Sequence, residues 1–415
     1  MSTTGKYTVQ ILRDWTLRVR GPANFEQEIT LPPPRGRRIS GERHEKIPLF
    51  TERKWLAGSR LRELLADECS ISCILDPASV KIVRADGTVL RNGVDYYLDP
   101  VWGAFGRIAG SAFGEEDSVF VSYRYFPQRI DSIVVRDGRL LRKQGTVNGA
   151  NPLPPEKSAG EELVCNIFFD RPRRHLSDEM LFPFLESWPG SASAGSAEQL
   201  LPKTVAKLRS GEHLRILAWG DSVTACHFIR EEKNRWPNRF VALLQERFPK
   251  ADIELINLGW GGKAINTFQC EPPGSPYNYE EQVVNSGADL VLLEFVNDAY
   301  LTMKPEFDRI YNRVRDDFKA RGMELLVFVP HPVRPDWMDL PSQKGMEKDP
   351  RPYVSYLREF VRENHYACAD LSSRFLHLWK EGIPYNTLMR NNINHPDQRG
   401  CDFYAEEAAA LFPER

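Results

Sequence analysis

From residue 214 to residue 411 the chain alternates short apolar runs with stretches of helical spacing, a pattern few architectures accept. Leu214–Trp219 (LRILAW), Ile253–Leu258, Leu290–Val296 (LVLLEFV), Glu324–Val329 (ELLVFV) and Cys368–Leu371 read as five strands. Trp236–Phe248 sets Phe240, Leu243, Leu244 and Phe248 at helical intervals. Phe307–Ala320, Tyr353–Asn364 and a closing Tyr404–Leu411 read as further helices. Strands this apolar need cover on both faces, and strand–helix alternation joins parallel neighbours. The expectation is a parallel sheet between two helical layers, with its ligand crevice at the carboxyl ends of the strands.

The preceding residues carry a different punctuation. Ser79–Val89 runs through Asp86-Gly87 toward Asn92-Gly93, and Ser132–Val135 runs toward Asp137-Gly138, all tight-turn dipeptides. Ser118–Phe126 (SVFVSYRYF) is rich in β-branched and aromatic residues. These features predict a β-rich N-terminal domain, a sandwich-like or barrel-like module. At 415 residues the chain exceeds what one ordinary core serves. Asn151–Pro155 (NPLPP) reads as an irregular connection and Pro189–Ala197 (PGSASAGSA) as a linker, so the domains are expected at 1–190 and 198–415.

Charge and cysteine usage exclude several classes. The net charge is −2, and no apolar run spans a bilayer, so neither nucleic acid nor membrane is an expected partner. The Pro/Arg run Pro32–Arg38 is the most basic stretch and reads as a solvated loop. Seven scattered cysteines fit free thiols in a reducing compartment. Met1–Lys6 opens without a basic-then-apolar signal pattern, so a cytoplasmic location is expected.

Four loop segments at strand ends carry chemistry-bearing residues. Gly220-Asp221-Ser222 follows the first strand and precedes a helix, where backbone N–H groups favour negative charge; a plain helix cap fits the same residues. The second strand ends in Asn257-Leu-Gly259-Trp-Gly261-Gly262, whose glycines admit close backbone approach. Gly259, Gly261 and Ala264 also match a dinucleotide fingerprint, but Glu271-Pro-Pro-Gly-Ser-Pro interrupts the helix such a site needs. The third strand ends in Asn297-Asp298, an amide able to donate to an oxyanion or simply to cap a turn. Asn392-Ile-Asn394-His395-Pro396 precedes the last helix, and a histidine there can serve a serine as general base. None of the eight histidines forms a metal-ligand set with carboxylates or thiols at usual spacing.

The order serine, glycine, asparagine, histidine on successive loops resembles the SGNH (GDSL-type) hydrolase family over about Leu214 to Leu411. The resemblance implies a flavodoxin-like three-layer α/β/α domain and a serine esterase requiring no cofactor. It implies Ser222 as nucleophile, His395 as base, and an oxyanion hole built from the amides of Ser222 and Gly262 and the side chain of Asn297. The GxSxG elbow of α/β-hydrolases is absent. The sequence departs from the family where an aspartate usually stands three residues before the histidine, because Asn392 occupies that position. An asparagine accepts through its carbonyl oxygen but brings no charge to the imidazolium. Three readings stay open: a Ser–His dyad assisted by Asn392, replacement of the acid by Asp397 or Asp298, or a weakly catalytic binding protein on an esterase fold. Val296 stands where the family often has glycine, which alters pocket shape. The expected substrate is a small acyl ester, acetyl foremost, on a small molecule or carbohydrate, with Trp260, His331, Tyr300 and Trp337 as candidate walls.

Overall fold

The computed structural model describes residues 5–111, 113–147 and 149–413. The first four residues, part of the opening read for a signal pattern, lie outside them. The chain divides into two units, Met1–Ser187 with Trp379–Ile393, and Trp188–Leu378 with Asn394–Arg415.

The first unit is β-rich, as expected. One core (Leu17, Val19, Ile133, Val164, Ile167 and Leu181 among its members) is shared by a three-stranded sheet from Thr8 to Thr30 and a four-stranded sheet containing Arg129–Arg136 and Glu162–Phe169. A second core gathers Ile82, Phe105, Val119, Val121 and Tyr123 around the sheet formed by Arg37–His44, Leu75–Arg84 and Val119–Tyr125. In Val119–Tyr125 the residues at 119, 121, 123 and 125 are all buried, the period-two pattern of a strand with one face in a core. Asp137 (φ 49°) and Gly138 (φ 69°) both take positive φ, joining Arg129–Arg136 to Arg139–Lys143 as a two-residue hairpin of the primed kind.

Sequence periodicity misses the three strands from Thr8 to Thr30, of which the outer two, Thr8–Arg13 and Glu26–Thr30, have no fully buried residue. The Pro/Arg run is an exposed loop that becomes a strand at Arg37. The larger difference from expectation is Trp379–Ile393, assigned by sequence to the second domain. Its backbone and side chains bond within the first unit: Leu185 N–H donates to the Lys380 carbonyl at 2.7 Å, and Asn166 Nδ2 donates to the Gly382 carbonyl at 2.8 Å. Arg390 pairs with Asp67 at 2.9 Å.

The second unit holds the five-stranded sheet His213–Gly220, Asp252–Gly259, Leu290–Glu294, Glu324–Val329 and Ala367–Asp370, numbered first to fifth in chain order. All pairs are parallel and the spatial order is second, first, third, fourth, fifth. This is the flavodoxin-like order, whose switch point lies between the first and third strands. Alternate residues feed opposite faces. Leu217, Trp219, Val291, Leu293 and Val327 join Phe307, Ile310, Tyr353 and Val354 on one side. Phe328 turns the other way, against Trp236 and Tyr404. Helices Lys304–Arg321 and Pro352–Asn364 each begin with a proline in the first turn, where its missing N–H is no loss. The sequence reading ran the third strand to Val296. Val296 instead starts a short 3-10 turn, Val296–Tyr300, so the Asn297 backbone leaves the sheet plane.

Candidate active site

Every element of the site stands at the carboxyl rim of the parallel sheet beside the switch point. Ser222 opens the short helix Ser222–Ala225 at the end of the first strand. Close packing lets it sit there. A Cβ on Gly220 would lie 2.0 Å from the Glu294 carbonyl oxygen, and one on Gly259 would lie 2.1 Å from the Ala225 nitrogen. Only glycine at both positions allows the serine helix to seat on the neighbouring strands.

Asp221 ties this helix to the third-strand loop. Its Oδ1 accepts the Val223 N–H at 2.9 Å and its Oδ2 accepts the Asn297 N–H at 2.8 Å. The side chain is fully buried, and desolvation pushes its pKa up to about 6 despite those donors and the positive potential of His395. Asn297 Nδ2 donates to the Lys263 carbonyl at 3.2 Å, so the asparagine is joined to the glycine loop as well. That loop approaches Ser222: a Cβ on Gly261 would stand 3.8 Å from Ser222 Cβ. Gly262 adopts φ +73° with open space beside it, leaving its backbone exposed to a ligand.

His395 Nε2 lies 3.0 Å from Ser222 Oγ, both residues being half-buried. The imidazole stacks on Phe228, with ring centroids 4.6 Å apart at an interplanar angle of 14°. Sequence reasoning missed Phe228. Its nearness to Ser222 in the chain is the only signal, and nothing in it distinguishes that aromatic from a packing residue.

The structure thus brings Ser222, His395, Asn297 and the Gly262 loop to one rim. Asn392 departs from its expected role. It belongs to the first unit, and its Oδ1 accepts from both the backbone N–H and the hydroxyl of Ser72, at 3.2 and 2.7 Å. Both lone pairs that were to receive the imidazole proton therefore have other donors. Asp298 is no substitute: Oδ1 accepts the Ile265 N–H, Oδ2 accepts the Tyr311 hydroxyl, and burial raises its pKa to about 7. Asp397 caps the last helix through Gly400 N–H and pairs with Arg399.

The proposed walls also need correction. His331 is fully buried rather than open to a substrate. Its Nε2 meets the Asn394 carbonyl at 3.0 Å and its Nδ1 meets the Tyr404 hydroxyl at 2.7 Å. A carbonyl only accepts, so Nε2 carries the proton and Nδ1 accepts from Tyr404. Desolvation first, then the charge of Arg351, lowers the His331 pKa to about 3, keeping the ring neutral. Trp260 stacks on Tyr277 at 4.1 Å with Lys263 Nζ over its ring, so it packs the loop instead of presenting a platform. Tyr300 is exposed on the turn after Asn297. Trp337 does line a cleft, of about 320 Å³, together with Asn297, Thr302, Val333, Pro350 and Asn394.

Solved structures similar to part of this chain include AlAXEase, an acetyl xylan esterase: 21% identity, 47% of this chain and 97% of that one, TM-score 0.38. Axe2, an acetylxylan esterase from Geobacillus stearothermophilus, is similar at 18% identity over 48% of this chain and 95% of its own, TM-score 0.38. A two-domain esterase (CEX) active on acetylated mannans is similar at 17% identity over 52% of this chain and 53% of its own, TM-score 0.42. No protein-family model matches the chain, and no curated protein matches it in sequence.

Proposed function

We propose that the chain is a serine ester hydrolase of the SGNH kind, removing a small acyl group, acetyl foremost, from a carbohydrate. The observation that carries this reading is the 3.0 Å approach of His395 Nε2 to Ser222 Oγ, beside the exposed Gly262 backbone and the half-buried Asn297 amide. Ser222 attacks the ester carbonyl as His395 takes its proton. The tetrahedral oxyanion draws on the Ser222 and Gly262 N–H groups and on Asn297 Nδ2. His395 then protonates the departing alcohol, and water, deprotonated by the same imidazole, frees the acid from Ser222. Each proton and electron pair moves among protein, ester and water.

The reaction runs through a Ser222–His395 dyad. The Phe228 stack and the His331 bond to the Asn394 carbonyl orient the imidazole, in place of the absent aspartate. The cleft beside Asn297 exceeds the need of an acetyl group and suits the alcohol part, with Trp337 as an amphipathic wall. A second reading, a weakly catalytic ligand-binding protein, is favoured by one observation: the Asn392 oxygen is held by Ser72.

A hydrolysis panel separates the two. Acetylated xylo- and manno-oligosaccharides, the substrate types named for the similar esterases, are set against longer acyl esters. Turnover of an acetyl ester is expected, falling about 10³-fold or more in Ser222→Ala. Hydrolysis by Ser222→Ala at the parent rate rejects the proposal, and no turnover of any ester favours the binder.

A further inference from the structure

The Pro/Arg run leads into a concave site in the first unit that the esterase reading leaves unused. Four separate segments converge there around a cavity of about 150 Å³, lined by Arg35, Arg37, Arg129 and Arg171 with the rings of Phe126 and Phe169. No aspartate or glutamate is among its lining residues. Two neighbouring carboxylates are each shared: Asp131 bonds both Arg129 and Arg142, and Asp170 bonds both Arg171 and Arg173. Arg35 has no ion pair among the described residues, and Arg37 neighbours the Tyr125 hydroxyl, which donates to the Glu63 carboxylate at 2.9 Å. Asp131 and Asp170 partly neutralise Arg129 and Arg171, so the positive charge left for a ligand to meet is chiefly that of Arg35 and Arg37.

The apolar side of the hollow is equally defined. The Arg129 guanidinium lies 4.8 Å from the Phe169 ring centroid, which fixes the plane of its fork. Its Nε and Nη2 both bond Asp131, so the group is held on a buried anchor. Guanidinium forks match carboxylate and phosphate oxygens two at a time, and the exposed forks with no carboxylate partner among the described residues are those of Arg35 and Arg37. Half-buried Phe126 supplies the apolar edge of the hollow, since Phe169 is buried between Arg129 and Trp15. We propose that this hollow binds a small oxyanion, carboxylate or phosphate, borne on a ring such as a sugar. All its lining residues belong to the first unit, and the proposal stands whether or not the esterase reading holds.

Three ligands with the same pyranose ring test it by calorimetry at low ionic strength on the full chain: glucuronate, glucose 6-phosphate and glucose. At least one of the two anionic sugars is expected to bind tenfold or more tightly than glucose, and which one identifies the oxyanion. Inorganic phosphate alone, if it binds as well as the sugar phosphate, shows that the ring contributes nothing and overturns that part of the proposal. The double variant Arg35→Ser, Arg37→Ser alters two exposed side chains and is expected to melt like the parent while losing the anionic ligand at least tenfold. Equal binding of all three sugars, or parent-like affinity in the double variant, overturns the proposal. Binding confined to long polyanions such as heparin or single-stranded DNA, with a steep salt dependence, also overturns it in favour of a plain basic surface.

Discussion

In the proposed reaction the imidazole that receives the Ser222 proton sits on a loop held from behind by His331. The bond from His331 Nε2 to the Asn394 carbonyl fixes the residue before His395, and Tyr404 fixes His331 in turn. Because the ring stays neutral down to about pH 3, this donor persists wherever His395 can act as a base. His331→Phe keeps a ring against Phe375 but removes the donor. It is expected to lower kcat about tenfold or more with little change in KM, since ground-state binding groups are untouched. His331→Gln, which can donate to the same carbonyl, is expected to recover part of the loss. A parallel rise in KM, or no recovery, assigns the residue to packing. That Ser222, His395 and Asn297 share one rim was legible from the sequence, because each follows a strand end or precedes the last helix in a parallel sheet. Asn392 was misread because its partner Ser72 stands 320 residues earlier in the chain, beyond any local pattern. His331 was misread because a histidine after a strand looks the same whether it faces solvent or core.

At the scale of elements, the site depends on how closely the serine helix can approach the sheet. Gly259→Ala places a methyl group 2.1 Å from the Ala225 nitrogen, a contact relieved only by moving the helix that carries Ser222. Overpacking of this kind costs about 1–3 kcal/mol. The expected outcome is a folded protein of lowered melting temperature whose turnover falls by more than the stability loss accounts for. Gly262→Ala meets no atom but needs a left-handed φ, so its penalty is expected in the loop alone. Circular dichroism melts beside ester turnover check both, and unaltered turnover in Gly259→Ala would show that Ser222 tolerates displacement. The five strands and the main helices were legible because periodic apolar spacing reports burial directly. Their ends were less so. Val296 is as apolar as the strand before it, yet the Asp221 carboxylate captures the Asn297 N–H and turns the chain out of the sheet.

At the scale of the whole molecule, burial beneath the sheet rim makes stability depend on pH. Asp298 holds its proton in the fold up to about pH 7, whereas its ordinary value is 3.8. Between those values the folded state binds more protons than the unfolded, so this group's contribution falls as pH rises and is level above. Asp221 acts with the same sign up to about 6, and Glu294 is likewise raised by burial. His331 acts oppositely: it is neutral in the fold above about 3 but protonated in the unfolded chain below 6.5, so its contribution grows with pH across that range. Asp298→Asn retains an acceptor for Ile265 N–H and isolates one of these effects. Relative to the parent, the variant is expected to gain stability as pH rises from about 4 to about 7 in urea unfolding, with a level difference above. A constant difference would mean that Asp298 titrates normally. The division of the chain was only partly legible: a composition shift near residue 190 is visible, but the return of Trp379–Ile393 to the first unit rests on bonds to Asn166, Leu185 and Asp67 that no local pattern announces.

Reaction with a fluorophosphonate, followed by mass spectrometry of the modified peptide, reads the Ser222–His395 pair most directly. A serine without a base reacts slowly, so a nearby imidazole that accepts its proton should be visible in the rate. The adduct is expected on Ser222, with labelling lost in His395→Ala and retained in Asn392→Ala, whose oxygen is bonded to Ser72. An unlabelled Ser222 across the pH range in which the protein stays folded, or equal labelling after His395 is removed, would contradict the dyad.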